Sequence, residues 1–138
     1  NGGAQTIAHD TATIINFGTS VYDTDSAVTT GAAWKYTVPA GKGGYYLVTV
    51  SAYLATDADW SAGELASLTV RLNGSNYTAV SVVYAQATAT LAMFLTGSTL
   101  VSASAGQYID VVIYQGSGGN VDIANDGNLT HIAIARVF

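Results

Sequence analysis

Histidine, serine and carboxylate side chains are the groups in this sequence that could do chemistry, but their spacing does not favour catalysis. His9 and His131 lie near opposite ends of the chain, and His131 alternates with Ala133 and Ala135 as a residue on a strand surface does. Serines are many, yet none stands in the Gly-x-Ser-x-Gly elbow that presents a nucleophile. Catalysis needs convergent groups with tuned pKa values. We therefore expect no enzyme, no catalytic residue and no cofactor.

Aspartates in two loops are the candidates for metal binding. The candidate calcium ligands are Asp57, Asp59, Asp122 and Asp126. Oxygen-rich loops can hold calcium, but neither segment has the full calcium-loop spacing with a terminal glutamate. We favour loop solvation or turn capping for these carboxylates, and also for the pair Asp23 and Asp25.

The loop around Trp60 is the candidate for binding a glycan. An aromatic face stacks on the apolar side of a sugar ring, while nearby carboxylate and amide groups bind its hydroxyls. The candidate ligand-binding residues are Trp60, Asp57, Asp59 and Asn125. The alternative, which we favour, is that Trp60 packs against Trp34 or against a neighbouring subunit. A third hypothesis is a glycan-cleaving enzyme that uses Asp57 or Asp59.

The share of charged residues is very low, at 9% against about 25% in an ordinary soluble domain. Hydrophobic residues make up 49% of the chain, and the mean hydropathy is +0.32. A lone monomer of this kind has little charge to keep it in solution, and no apolar run approaches the ~18 residues of a membrane helix. We expect a protein that covers its uncharged surface with copies of itself or with a larger assembly, without membrane insertion.

Basic residues are too few and too scattered for a nucleic-acid surface. The chain has four of them, Lys35, Lys42, Arg71 and Arg136, and a net charge of −5. Phosphate binding requires clustered Lys and Arg, so we expect no nucleic-acid partner. The absence of cysteine excludes a disulfide framework. The start at Asn1 rather than Met fits a processed product or an excised part of a longer chain.

Alternating apolar and polar residues predict an all-β protein of about eight to ten short strands. The predicted strands are 11–17, 34–38, 45–55, 66–72, 76–84, 88–96, 107–115, 121–123 and 129–138. Asn73 and Gly74 predict a type I′ hairpin turn, and Gly97 with Ser98 is expected to end the strand at 88–96. The strand 45–55 is apolar on both faces, which favours cover by a second sheet inside and by another body outside. We expect one jelly-roll β-sandwich domain over residues 1–138, with 1–10 as an extended arm.

Several ordered segments resemble the jelly-roll superfamily of the complement globular head and tumour necrosis factor. These are the aromatic strand with its Pro-Ala-Gly turn at 34–41, the Gly-aromatic opening at 44–48, the strand and Asn-Gly turn at 68–74, the turn and strand at 105–111, and the last strand ending at Phe138. The resemblance covers nearly the whole chain, in the short form found in phage and bacterial structural proteins. It implies a homotrimer packed through an apolar face.

The resemblance and the composition together predict the interface and the function. The predicted trimer-interface residues are Tyr45, Leu47, Tyr53, Tyr108, Val112, Tyr114, His131 and Phe138. We expect a non-enzymatic trimeric structural module of a phage-type virion, as a capsid decoration, head fibre or tail-tip domain. The alternative is a receptor- or glycan-binding head domain. Either function places the chain on a virion surface or outside cells, with other virion proteins or a host glycan or receptor as partners.

Overall fold

Antiparallel β-strands build the fold in the computed structural model, which describes residues 5–18, 22–55, 59–124 and 127–138. The strands are β1 Gln5–Ile7, β2 Thr13–Ile14, β3 Val28–Thr29, β4 Lys35–Thr37, β5 Gly44–Leu54, β6 Asp59–Trp60, β7 Leu65–Leu72, β8 Ser75–Tyr84, β9 Ala89–Thr90, β10 Met93–Ala103, β11 Tyr108–Gln115, β12 Val121–Ile123 and β13 His131–Arg136. Within these ranges no helix is long and apolar enough to cross a membrane.

The strands form two main sheets, which we call sheet A and sheet B. Sheet A has the order β1-β12-β5-β10, and β13 also pairs with β5. Because β10 pairs with β5 along its whole length, β12 and β13 share the other side of β5. Sheet B has the order β3-β4-β11-β7-β8, with β2 also on β11, and β6 and β9 form a small separate pair. The predicted jelly-roll β-sandwich is confirmed.

The core lies between the facing sides of the two sheets. Along β5 the even-numbered residues Tyr46, Val48, Val50, Ala52 and Leu54 are all buried, as the alternation predicts. They meet a matching buried row from β7 and β11 of sheet B. That row consists of Leu68, Val70, Ile109, Val111 and Ile113, all fully buried. Burying one such side chain contributes roughly 1.5–3 kcal/mol, so this apolar layer holds the two sheets face to face.

The hairpin between β7 and β8 has the predicted turn. Asn73 and Gly74 have φ angles of 51° and 76°, as both central residues of a type I′ turn require. The Asn73 side-chain oxygen also accepts a hydrogen bond of 2.9 Å from the Tyr108 amide of β11. The turn is therefore fixed to the next strand of sheet B as well as to its own hairpin.

The prediction that Gly97 and Ser98 end a strand is wrong, because β10 runs through both residues. Gly97 has a packing role instead. β8 of sheet B contacts β10 of sheet A, and a Cβ atom on Gly97 would lie 2.1 Å from the Val80 carbonyl oxygen. Glycine is needed here because two backbones from different sheets approach closely, a feature that glycine in a strand often marks.

The substitution Gly97→Ala is expected to destabilise the fold by about 2–3 kcal/mol, in the range of overpacked sites. The added methyl would meet Val80 backbone atoms, which cannot move aside as the end of a flexible side chain can. Urea unfolding measures the change in free energy. Gly119→Ala is the matched control, because its Cβ would have no atom within 4 Å. Equal stability of the two variants would contradict this account of Gly97.

Candidate functional site

The outer face of sheet A carries a broad uncharged surface across three neighbouring strands. We define this face by the residues of β5, β10 and β13 whose side chains point away from the core, and it does not include β1 and β12, where Asp122 is the outward residue. They are Tyr45, Leu47, Thr49, Ser51 and Tyr53 of β5, Phe94, Thr96, Ser98, Leu100 and Ser102 of β10, and His131, Ala133 and Ala135 of β13. The set contains no Asp, Glu, Lys or Arg. A surface of this composition is typical of a protein–protein interface.

Large apolar side chains are exposed across this face. Tyr45, Leu47, Phe94 and Leu100 each expose between 41% and 50% of their surface. Phe138 is 78% exposed and packs edge-on against Tyr45, with ring centroids 6.2 Å apart. The face and Phe138 therefore form one continuous apolar patch. Covering this patch with another molecule would be favourable, because it would remove apolar surface from water.

The predicted interface residues divide between the two sheets. Tyr45, Leu47, Tyr53 and His131 lie on the outer face of sheet A, and Phe138 borders it. A second group of three, Tyr108, Val112 and Tyr114, belongs to β11 of sheet B. The prediction of Val112 as an outer contact is corrected, because it is only 5% exposed within the chain.

The two tyrosines of that second group have partners inside the chain. The Tyr114 hydroxyl donates a hydrogen bond to the Asp10 carboxylate, and this hydrogen bond raises the pKa of Tyr114. The ammonium group of Lys35 lies 4.9 Å from the centre of the Tyr108 ring, a cation–π distance. These contacts give both rings a role within the subunit.

Trp60 is fully buried in the hydrophobic core, so the glycan-stacking role considered for it is corrected. Its indole Nε1 has no hydrogen-bond partner among the described residues. Trp34 packs edge-on against Phe17, with ring centroids 4.9 Å apart. A ring that stacks on a sugar needs an open face, and Trp60 has none in this structure.

The remaining predicted ligands are spread over the chain. Asp57, Asn125 and Asp126 lie outside the described residues. Asp122 is on β12, where its Oδ1 accepts a hydrogen bond of 2.6 Å from the Thr6 hydroxyl of β1, and Asp59 is on β6. No group of three or more potential metal ligands comes together within the described ranges. Loop solvation or turn capping, which the sequence favours over calcium binding for these carboxylates, stays a prediction.

A groove at the edge of the sandwich is a feature that the sequence did not reveal. The groove, which we call the edge groove, has a volume of about 660 Å³. It lies between β13 of sheet A and residues close to β3 and β4 at the edge of sheet B, and it also includes Phe17, Lys42, Tyr46 and Gly127. The residues on the sheet B side are Tyr22, Thr24, Asp25, Val28, Trp34 and Tyr36. Its volume is within the usual range of small-ligand pockets, about 300–1,000 Å³.

One ion pair and two packed tyrosines line the edge groove beside β13. Lys42 Nζ lies 2.7 Å from Asp25 Oδ1. Tyr36 and Tyr46 pack with ring centroids 5.6 Å apart, and the Tyr46 hydroxyl donates a hydrogen bond to the Lys42 carbonyl. Burial, together with a hydrogen bond to Tyr46, raises the pKa of Tyr36. The Tyr36 phenol therefore stays protonated and neutral.

Asp23 organises the loop at the mouth of the edge groove. Its two carboxylate oxygens accept hydrogen bonds of 3.0 Å from the amides of Ala27 and Val28. These hydrogen bonds hold the pKa of Asp23 below its usual 3.8. The favoured interpretation of Asp23 and Asp25 as loop carboxylates agrees with this geometry, since Asp23 caps the turn and Asp25 pairs with Lys42.

Acid is expected to weaken this loop through Asp23. Because the folded-state pKa is lowered, the carboxylate stabilises the fold above about pH 4, and this contribution falls as the pH drops through the folded value. Asp23→Asn should therefore lower the melting temperature more at about pH 6 than at about pH 2.5. Thermal unfolding of both proteins across this range measures the difference. A difference that does not change with pH would contradict the assignment.

The two histidines lie on different parts of the fold, and the Ser51 hydroxyl opposite His131 donates a hydrogen bond of 2.8 Å to the Leu129 carbonyl. His9 Nδ1 accepts a hydrogen bond of 3.0 Å from the Gly118 amide, and His131 lies on the outer face of sheet A opposite Ser51. The arrangement gives each histidine a structural position. The surface that the geometry makes available is the uncharged outer face, with the edge groove beside it.

The fold is a jelly-roll of the complement globular head and tumour necrosis factor type. Among solved structures, the chain is similar to the "Globular Domain of Zebrafish Complement 1qA protein", with a TM-score of 0.55 and 8% identity over 98% of this chain and 97% of that one. It is also similar to "EclA C-terminal domain; sugar-binding protein", with a TM-score of 0.40 and 18% identity over 98% of this chain and 80% of that one. No protein-family model and no curated protein sequence matches the chain.

Proposed function

We propose that the chain is a non-enzymatic head domain that acts as a homotrimer, with the outer face of sheet A as the interface between copies. The observation that carries the proposal is the uncharged outer face, with four large side chains at least 41% exposed on it. The complement globular-head fold of the chain supports the same assembly. A stable interface of this kind buries on the order of 2,000 Å².

A cyclic trimer needs two different patches on each copy, because its contacts are heterologous. The outer face spans three strands, β10, β5 and β13, and continues to Phe138. One side of this face can therefore pack against the other side of the next copy. Only 9% of the residues in the chain are charged. Formation of the cyclic trimer therefore removes uncharged surface from water without burying unpaired ions.

The finer proposal is a structural role in a phage-type virion, as a capsid decoration, head fibre or tail-tip domain. It rests on the low charge and the trimeric design, both suited to a domain embedded in a larger particle. The receptor- or glycan-binding alternative loses its main support with the burial of Trp60, and its other candidate residues stay predictions.

Measurement of the molecular mass in solution tests the proposed assembly. The expected result at micromolar concentration is a species of three times the 14.1 kDa chain mass. Analytical ultracentrifugation over a hundredfold dilution separates a stable trimer from a weak one. A folded, soluble monomer throughout that range would refute the proposal, and the structural role would fail with it.

A further inference from the structure

The outer edge of β13 is unpaired in the part of the chain that the structure describes. β13 forms a ladder with β5, and the Val137 amide extends it by donating to the Tyr45 carbonyl at 2.8 Å. In an antiparallel ladder, alternate residues direct their main-chain groups toward the partner strand. The amide and carbonyl groups of Ile132, Ile134 and Arg136 therefore point away from β5.

The edge groove follows this unpaired edge. Every residue from Thr130 to Arg136 contributes to its lining. Successive side chains of a strand point to opposite faces, so a cavity that borders seven consecutive residues runs beside the main chain of β13. The opposite wall is largely aromatic, with Trp34 and Tyr36 among its residues. The groove thus combines a row of free main-chain donors and acceptors with an apolar wall.

Arg136 places a positive charge at one end of the edge groove. Its Nη2 donates to the Gly43 carbonyl at 2.9 Å. The ion pairs found in the described residues are Lys42 with Asp25 and Arg71 with Asp110, so Arg136 has no carboxylate partner there. A guanidinium has five N–H donors. A carboxylate brought to this end would therefore find donors that are not used within the chain.

The chemistry of the edge groove suits an extended peptide better than a sugar. Among the aromatic residues of the lining, Phe17, Trp34 and Tyr46 are each at most 9% exposed and offer no open face to a sugar ring, whereas Tyr22 is 89% exposed. The exposed ring of Tyr22 borders the groove at one place, while the unpaired main-chain groups follow it along β13. Addition of a strand instead uses main-chain hydrogen bonds for affinity and side-chain pockets for specificity. We propose that the edge groove binds an extended peptide segment of a partner protein as an added strand on β13, with a carboxylate of that peptide at Arg136.

Selection from a random peptide library tests this proposal with the full chain. The probe is a displayed library of ten-residue peptides with free C-termini. The expected result is enrichment of peptides rich in β-branched residues that carry an acidic group at one end. For an enriched peptide, the amide resonances of Ile132 and Ile134 should shift on titration, because these amides donate the new hydrogen bonds to the peptide carbonyls. No enrichment, or shifts confined to Leu47 and Leu100 on the outer face, would overturn the proposal.

N-methylation of the peptide separates strand addition from other binding modes without altering the protein. Methyl groups on one set of alternate amides should weaken binding at least about tenfold, since each blocks a hydrogen bond to β13. Methyl groups on the other alternate set, which faces solvent, should leave the affinity unchanged. Equal effects of the two sets would overturn strand addition.

A charge variant tests the role of Arg136. Arg136→Gln should weaken binding of the acidic peptide by roughly tenfold and abolish its advantage over the same peptide with an amidated C-terminus. Lys35→Gln is the matched control, because Lys35 lies over Tyr108 of sheet B, and it should bind both peptides as the unaltered chain does. If Arg136→Gln still binds the free carboxylate better than the amide, the proposal that the peptide carboxylate lies at Arg136 is refuted. The mass of the chain is measured separately, so failure of the trimer and failure of the peptide site are distinguishable.

Discussion

Replacing Leu47 with aspartate is expected to convert the proposed trimer into monomers at micromolar concentration. Leu47 lies on the outer face, opposite Leu100 of β10 and Ala135 of β13. Burying an ion without a partner costs several kcal/mol, and three-fold symmetry repeats this cost at each contact. A cost of about 4 kcal/mol at one contact corresponds to roughly a thousandfold weaker association. Analytical ultracentrifugation across a dilution series measures the change.

The control for this variant carries the same charge on the other sheet. Val82 of β8 is 47% exposed, against 41% for Leu47, so Val82→Asp adds one carboxylate at a site of similar exposure outside the proposed interface. It should remain a trimer. Leu47→Thr keeps a strand-forming residue without charge and should weaken association less than Leu47→Asp. A trimer that survives Leu47→Asp would place the contact between copies elsewhere.

Local patterns predicted the strands well, because apolar and polar residues alternate along a strand that has one buried face. The alternation at 45–55 matches β5, whose even-numbered residues from Tyr46 to Leu54 all lie in the core. The Asn73–Gly74 turn is also confirmed, since positive φ at two successive residues leaves few other choices. Gly97 was misjudged for a physical reason. Local sequence does not show that a backbone from the other sheet passes within contact distance of that residue.

The candidate site was predictable only in part, because alternation assigns a residue to a face but not to a sheet. Tyr45 and Tyr108 show the same outward pattern, yet one lies on sheet A and the other on sheet B. The sequence around Trp60 predicts a loop. In the structure Trp60 belongs to β6, which pairs with β9, and its ring is fully buried. The edge groove joins segments about 110 residues apart, such as Asp25 and Arg136. A short sequence pattern does not predict that residues so far apart in the chain lie next to each other.

Removing the positive partner of Asp110 is expected to cause a large loss of folding stability in sheet B. Arg71 of β7 stands directly opposite Asp110 of β11. Its Nε and Nη2 donate to the two carboxylate oxygens at 2.6 and 2.8 Å, and this hydrogen bonding raises the pKa of Arg71. Asp110 is only 2% exposed. Arg71→Met should therefore cost about 3 kcal/mol, because it leaves a buried carboxylate unpaired.

The double variant Arg71→Met with Asp110→Leu distinguishes the cost of an unpaired charge from a loss of packing. Replacing a buried ion pair by apolar side chains of similar volume is often close to neutral, so the double variant should recover most of the stability lost in Arg71→Met. Urea unfolding of the four proteins in the cycle gives the coupling energy. A double variant as unstable as Arg71→Met would show that the guanidinium stabilises sheet B mainly through its packing. Recovery would mean that the buried pair contributes little more to stability than apolar side chains in its place, because the cost of burying two charges offsets most of their attraction.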